Sequence, residues 1–123
     1  MTMPQGFTLR NGRLRIAGRL VARDVLHIKR IRDRLKNRTL IAALISWESL
    51  ETRARNRNRN IVAFTLSGGR VWTVAEASGG PRRERYFTGL GGSALYPTAT
   101  TSSGWVYDIN ASDGSLWYLK WVK

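Results

Sequence analysis

The chain has no cysteine, a single histidine and only three prolines. Without cysteine it can form no disulfide, carries no thiolate nucleophile and offers no thiolate metal site. Acids are scarce as well: eight carboxylates in 123 residues, scattered and without the spacing of a metal site. His27 stands among arginines, so a Ser-His-Asp arrangement has no marked partner. Gly89-Leu-Gly-Gly-Ser93 lacks the Gly-Lys-Ser/Thr ending of a phosphate loop and is followed by Pro97. These shortages imply no catalytic group, no metal and no cofactor. Long apolar runs are missing too. The longest, Leu40 to Ile45, has six residues, against the ~20 a membrane helix needs. The opening Met-Thr-Met-Pro-Gln-Gly shows no apolar stretch behind a basic start, so no secretory signal is legible and no membrane partner is expected. The expected location is the cytoplasm, or a particle assembled there.

What the chain has in excess is positive charge. A formal +13 exceeds the magnitude of ~2–8 that solubility requires of a small domain. The excess is unevenly placed. Residues 1–60 carry fifteen Lys and Arg against four acids, and residues 61–123 carry six against four. Aromatics run the other way, with ten of the twelve after residue 60. A single domain over 1–123 is expected, with a basic hairpin and helical part at 1–60 and a neutral aromatic β part at 61–123. That asymmetry points to a polyanionic partner for the first half.

Phe7 to Ile16 alternates on both sides of Asn11-Gly12, a pair suited to the two positive φ angles of a type I′ hairpin turn. From Val21 the spacing changes. Val21, Val25, Ile28, Ile31 and Leu35 recur every three to four residues, which predicts a helix, with Arg23, Arg30, Arg34 and Arg38 on another face. Thr39 is placed to cap a second helix through the apolar Leu40–Ile45 and Trp47. Arg53, Arg55, Arg57 and Arg59 alternate with asparagines and read as an extended cationic arm, with side chains ~6.6 Å apart. After residue 60 the pattern is strands: Ile61–Leu66 with Arg70–Ala75, Arg85–Thr88 ending at the following glycines, a Ser- and Thr-rich loop over 93–104, and Trp105–Ile109 with Ser115–Val122. The last of these is apolar on both sides and is expected to be buried on both. The Phe7-Thr-Leu stretch is echoed at Phe64-Thr-Leu, with Gly69, Gly92 and Gly114 spaced 23 and 22 residues apart. Shared hairpin turn chemistry accounts for this more simply than a repeat array.

The expected fold is therefore α+β: an N-terminal β-hairpin, one long or two shorter helices over about residues 20–56, then an antiparallel sheet or small barrel of about five strands. The expected function is non-enzymatic and structural. The arginines at 23, 30, 34, 38, 53, 55, 57 and 59, joined by the hairpin arginines 10, 13, 15 and 19, would dock on nucleic acid or an acidic protein shell. The aromatic part would make a homo-oligomer or an assembly subunit, as in a phage virion component. Arg82, Arg83, Arg85, Tyr86 and Tyr96 are candidates for base stacking or a secondary anion contact. Two other readings remain open at this point. One is a ribosome-associated or other RNA- or DNA-binding protein. The other is a small basic RNA-cleaving toxin, with Glu76 or Glu84 as base beside Arg85 and Tyr86.

Overall fold

The computed structural model describes residues 6–49, 58–77 and 85–122, and these contain eleven β-strands and no helix. In chain order they are β1 (Phe7–Arg10), β2 (Arg13–Ile16), β3 (Arg19–Ala22), β4 (Val25–Asp33), β5 (Arg38–Ile45), β6 (Ile61–Thr65), β7 (Arg70–Thr73), β8 (Phe87–Gly92), β9 (Pro97–Thr101), β10 (Trp105–Ile109) and β11 (Leu116–Trp121). They form three antiparallel meanders: an N-terminal sheet β1-β2-β3, a central sheet β4-β5-β6-β7 and a C-terminal sheet β8-β9-β10-β11. The α+β expectation is thus overturned. No helix among the described residues is long and apolar enough to cross a membrane.

Strand β5 explains the error. Leu40, Ala42 and Leu44 pack into one core with Phe87, Leu90, Ala99 and Tyr107 of the C-terminal sheet. Ile41, Ala43 and Ile45 pack into a second core with Leu14, Ile16 and Ala22 of the N-terminal sheet. The central sheet is thus the middle of three layers, and a strand buried on both faces reads as an unbroken apolar run. Over six residues such a run has no period to separate it from a buried helix.

The helical spacing before it has a different origin. Val25 lies opposite Ile45 and Ile28 opposite Ala43, with a register shift between Val25 and His27. This β-bulge inserts one residue and returns two side chains three apart to the same face. Both belong to the core shared with the N-terminal sheet. Ile31 lies opposite Leu40 and enters the other core, while Leu35, 82% exposed, sits in the turn after β4. A bulge and two buried faces together imitate a helix.

The hairpin at Asn11-Gly12 is present, with φ of 51° and 74° at the two turn residues and Arg10 opposite Arg13. A second two-residue turn of the same hand joins β2 to β3 at Ala17 and Gly18, with φ of 51° and 80°. Two further corrections concern the C-terminal sheet. β8 continues through Gly89, Gly91 and Gly92, and the stretch expected to be a loop contains β9. Thr98, Thr100 and Thr101 are β-branched, and Pro97 occupies the first position of its strand, where a missing amide donor is tolerated.

The central and C-terminal layers are joined by buried polar groups as well as by apolar contact. Asn60, fully buried, donates from Nδ2 to the carbonyls of Ile45 (2.8 Å) and Phe87 (2.9 Å) and accepts from the Phe87 amide (2.8 Å). Trp72 of β7 donates its indole N–H to the Ala111 carbonyl at 2.9 Å.

Candidate polyanion interface

Alternation along the first hairpin divides its side chains cleanly. Leu14 and Ile16 point into the core, and Phe7 and Leu9 pack against it. Thr8, Arg10, Arg13 and Arg15 are exposed on the other side. Directly opposed residues share a face of a sheet, and here Arg10 faces Arg13 and Thr8 faces Arg15. Arg13 and Arg15, two positions apart, are separated by ~6.6 Å along the strand. None of the three arginines takes part in an ion pair or side-chain hydrogen bond among the described residues. Their fixed charges and planar five-donor forks match phosphate or carboxylate oxygens two at a time. Like charges across a strand pair are unfavourable by themselves, so this face gains from an anion.

The helical stripe expected from Arg23, Arg30, Arg34 and Arg38 does not exist, because β4 and its turns occupy that stretch. Arg23 is exposed in the turn before β4. Arg30 is exposed on β4, its guanidinium 5.5 Å from the centre of the Phe7 ring. Alternation sets Arg32 on the same side as Arg30, and Arg34 follows just beyond the strand end. Arg38 is committed elsewhere, to a 2.9 Å ion pair with buried Asp33. Arg59 is also engaged: it donates to the carbonyls of Val74 (2.7 Å) and Thr73 (3.2 Å) at the end of β7. Arg53, Arg55 and Arg57 of the expected arm, and Arg82, Arg83 and Glu84, lie outside the described residues.

Two of the residues singled out from sequence are brought together. The Arg34 guanidinium lies 5.1 Å from the centre of the Tyr96 ring and donates to its hydroxyl at 3.3 Å. They stand at a half-open groove of about 420 Å³ that also draws on Arg32, Leu35, Asp108 and Trp117. Arg32 donates to Asn37 and, at 3.1 Å, to Thr39. Tyr96 is 58% and Trp117 75% exposed, so both offer ring area to a ligand. Tyr86, the other stacking candidate, is instead stacked on Trp47 at 4.8 Å and is half-buried. Arg85 is half-buried and has partners of its own.

The turn that presents Arg34 is held by Asp33. Its carboxylate accepts from Ser112 Oγ (2.6 Å), Arg38 Nε (2.9 Å) and the amides of Leu35 (3.1 Å) and Lys36 (3.2 Å). Burial pushes the carboxyl upward most strongly of any single influence. The hydrogen bonds from Ser112, Lys36 and Arg38 together outweigh it, and the group is held below the ordinary aspartate value.

Sequence reasoning missed Arg32 and Asp108. Arg32 was legible in principle as the middle of an Arg-x-Arg-x-Arg alternation over 30–34, visible once the stretch is read as a strand. Asp108 and Trp117 meet only because β10 and β11 pair them. His27 is exposed on β4, and no three His, Asp or Glu side chains gather as a metal site among the described residues. Compared with known protein families, curated proteins and solved structures, the chain matches none.

Proposed function

We propose that this is a non-enzymatic docking and assembly protein, a structural component of a larger particle such as a phage virion, whose N-terminal sheet seats on nucleic acid. The observation that carries this is the cluster Arg10, Arg13 and Arg15, exposed on one face and without an acidic partner among the described residues. A charge run on a soluble surface normally mixes signs; a one-signed, unneutralised face is the footprint of a polyanion. Arg23, Arg30 and Arg34, all exposed, extend the positive surface along the β4 side.

The groove favours a single strand over a duplex. Arg34 against Tyr96, with Trp117 exposed nearby, combines a phosphate donor with ring faces on which unpaired bases stack. Such contacts are closed to bases paired inside a helix.

Binding to a labelled single strand and to its duplex, titrated against salt, tests both parts. Each neutralised phosphate contributes a slope of about −0.7 for single strands and −0.9 for duplex. Replacing Arg10, Arg13 and Arg15 together by alanine should flatten the single-strand slope by about 2. Tyr96→Ala should weaken the single strand by about tenfold, in line with ~1–3 kcal/mol per stacked base, and leave the duplex nearly untouched. An unchanged slope in the triple variant would remove the N-terminal face from the interface.

A further inference from the structure

Strand β11 pairs with β10 on one side and, among the described residues, with no strand on the other. Its composition is that of an internal strand, apolar toward both faces. Yet Trp117, Tyr118, Leu119, Trp121 and Val122 are 42–75% exposed. The burial its composition calls for is not met within the described residues. Trp117 stands beside Asp108 and Lys120 beside Val106 on the outer face, with Tyr118 beside Tyr107 and Trp121 beside Trp105 on the inner; Leu119 is the extra residue of a bulge. Edge strands are ordinarily blunted with charge or proline. Between Leu116 and Val122 there is no proline and one charge, Lys120.

We propose that β11 is the pairing edge of a symmetric dimer, where β11 of a second copy of this chain adds antiparallel to it and joins the two C-terminal sheets. Charge selects a second copy. Residues 105–122 hold Asp108, Asp113 and Lys120, a net of −1, while the rest of the chain carries +14. Two strongly cationic molecules therefore meet with least repulsion at this end. The residue order also suits a two-fold axis. With the axis between Tyr118 and Leu119, Leu116 lies opposite the second copy's Trp121, and Trp117 lies opposite its Lys120. Both pairings match inner with inner and outer with outer. Each ammonium then rests against an indole, and no two like charges face each other.

The inference does not depend on polyanion docking, and its test keeps the two apart. The full chain is stripped of nucleic acid by nuclease and a high-salt wash, and its mass is followed by sedimentation equilibrium at physiological ionic strength. A concentration-dependent dimer is expected. Trp117→Lys places an ammonium against the second copy's Lys120 and should raise the dimer Kd by about two orders of magnitude, since juxtaposed like charges at an interface cost several kcal/mol. Its thermal midpoint at low concentration should match that of the parent monomer, because Trp117 is largely exposed. Adding Lys120→Glu to Trp117→Lys should restore the dimer through two ion pairs between the copies, and Lys120→Glu alone serves as the control for simple loss of charge. A monomer at every concentration, a dimer indifferent to Trp117→Lys, or a double variant no tighter than Trp117→Lys would each overturn the proposal.

Discussion

The two outer layers each bury one face against the same central sheet, and they differ in what they leave outside. The N-terminal layer shows solvent a row of arginines over a core of Leu14 and Ile16. The C-terminal layer shows a strand of exposed tryptophan, tyrosine and leucine. The first surface is costly through charge and is relieved by an anion. The second is costly through apolar exposure and is relieved by another apolar edge. The difference teaches that the +13 of the whole chain describes neither layer: one concentrates positive charge on its outer face, and the other leaves apolar area exposed along its edge strand.

The largest test of this contrast strikes the join between the central and C-terminal layers. Asn60→Ala leaves the Phe87 amide and the carbonyls of Phe87 and Ile45 without their partner in a buried site. A buried polar group stranded in this way costs ~1–3 kcal/mol, so the variant should lose about 3–5 kcal/mol in urea unfolding. Arg15→Ala, on the exposed face of the other outer layer, should stay within about 0.5 kcal/mol. If Asn60→Ala is equally mild, the Asn60 hydrogen bonds do not hold the C-terminal layer to the central one.

A smaller effect concerns acid. Asp33 accepts from Ser112 of the β10–β11 loop as well as from Arg38 and its own turn, so it connects the groove to the C-terminal layer. Its folded pKa is lowered relative to an unfolded value of about 3.9. The stabilisation is therefore complete above about pH 4 and is lost as pH falls through the folded value. Asp33→Asn should be about 2 kcal/mol less stable than the parent at pH 7, and the gap should narrow steadily below pH 4. A gap that stays constant down to pH 2 would mean that the carboxylate charge contributes nothing.

How far the sequence reveals this arrangement depends on where each residue sits in the stack. Hairpins with one buried face were legible: Asn11-Gly12 and the alternation around it place Arg10, Arg13 and Arg15 outward. The central layer was not. β5 has no polar face because it has two neighbours, and the bulge beside Val25 shifts the alternation of β4 into a helical spacing. Residues 97–101 hid for a third reason, since threonine and proline are common in loops and turns, while β-branched threonine also suits a strand. The groove was legible only in its ingredients. Arg34 and Tyr96 are 62 positions apart, and only the packing of the β8–β9 turn against β4, marked by the Arg32 amide bonding to the Ala94 carbonyl at 2.8 Å, brings them into contact. By contrast, β11 reads as an internal strand and is found at an edge, a mismatch that a second copy would remove.

The smallest effect separates stability from docking on the N-terminal layer. Arg13 faces Arg10 across the hairpin and both are exposed. Arg13→Thr removes the like-charge pair and supplies a β-branched residue, so the free protein should gain about 0.2–1 kcal/mol at low salt. The gain should shrink as salt rises, because exposed charges are screened over a Debye length of about 8 Å at physiological ionic strength. The same variant should bind a single strand more weakly, with its salt slope flatter by about 0.7. Opposite signs for stability and binding are the signature of a charge kept for a partner. If Arg13→Thr instead lowers stability equally at low and high salt, the arginine stem packs as a structural element, and the N-terminal layer resembles the C-terminal one more than its charge suggests.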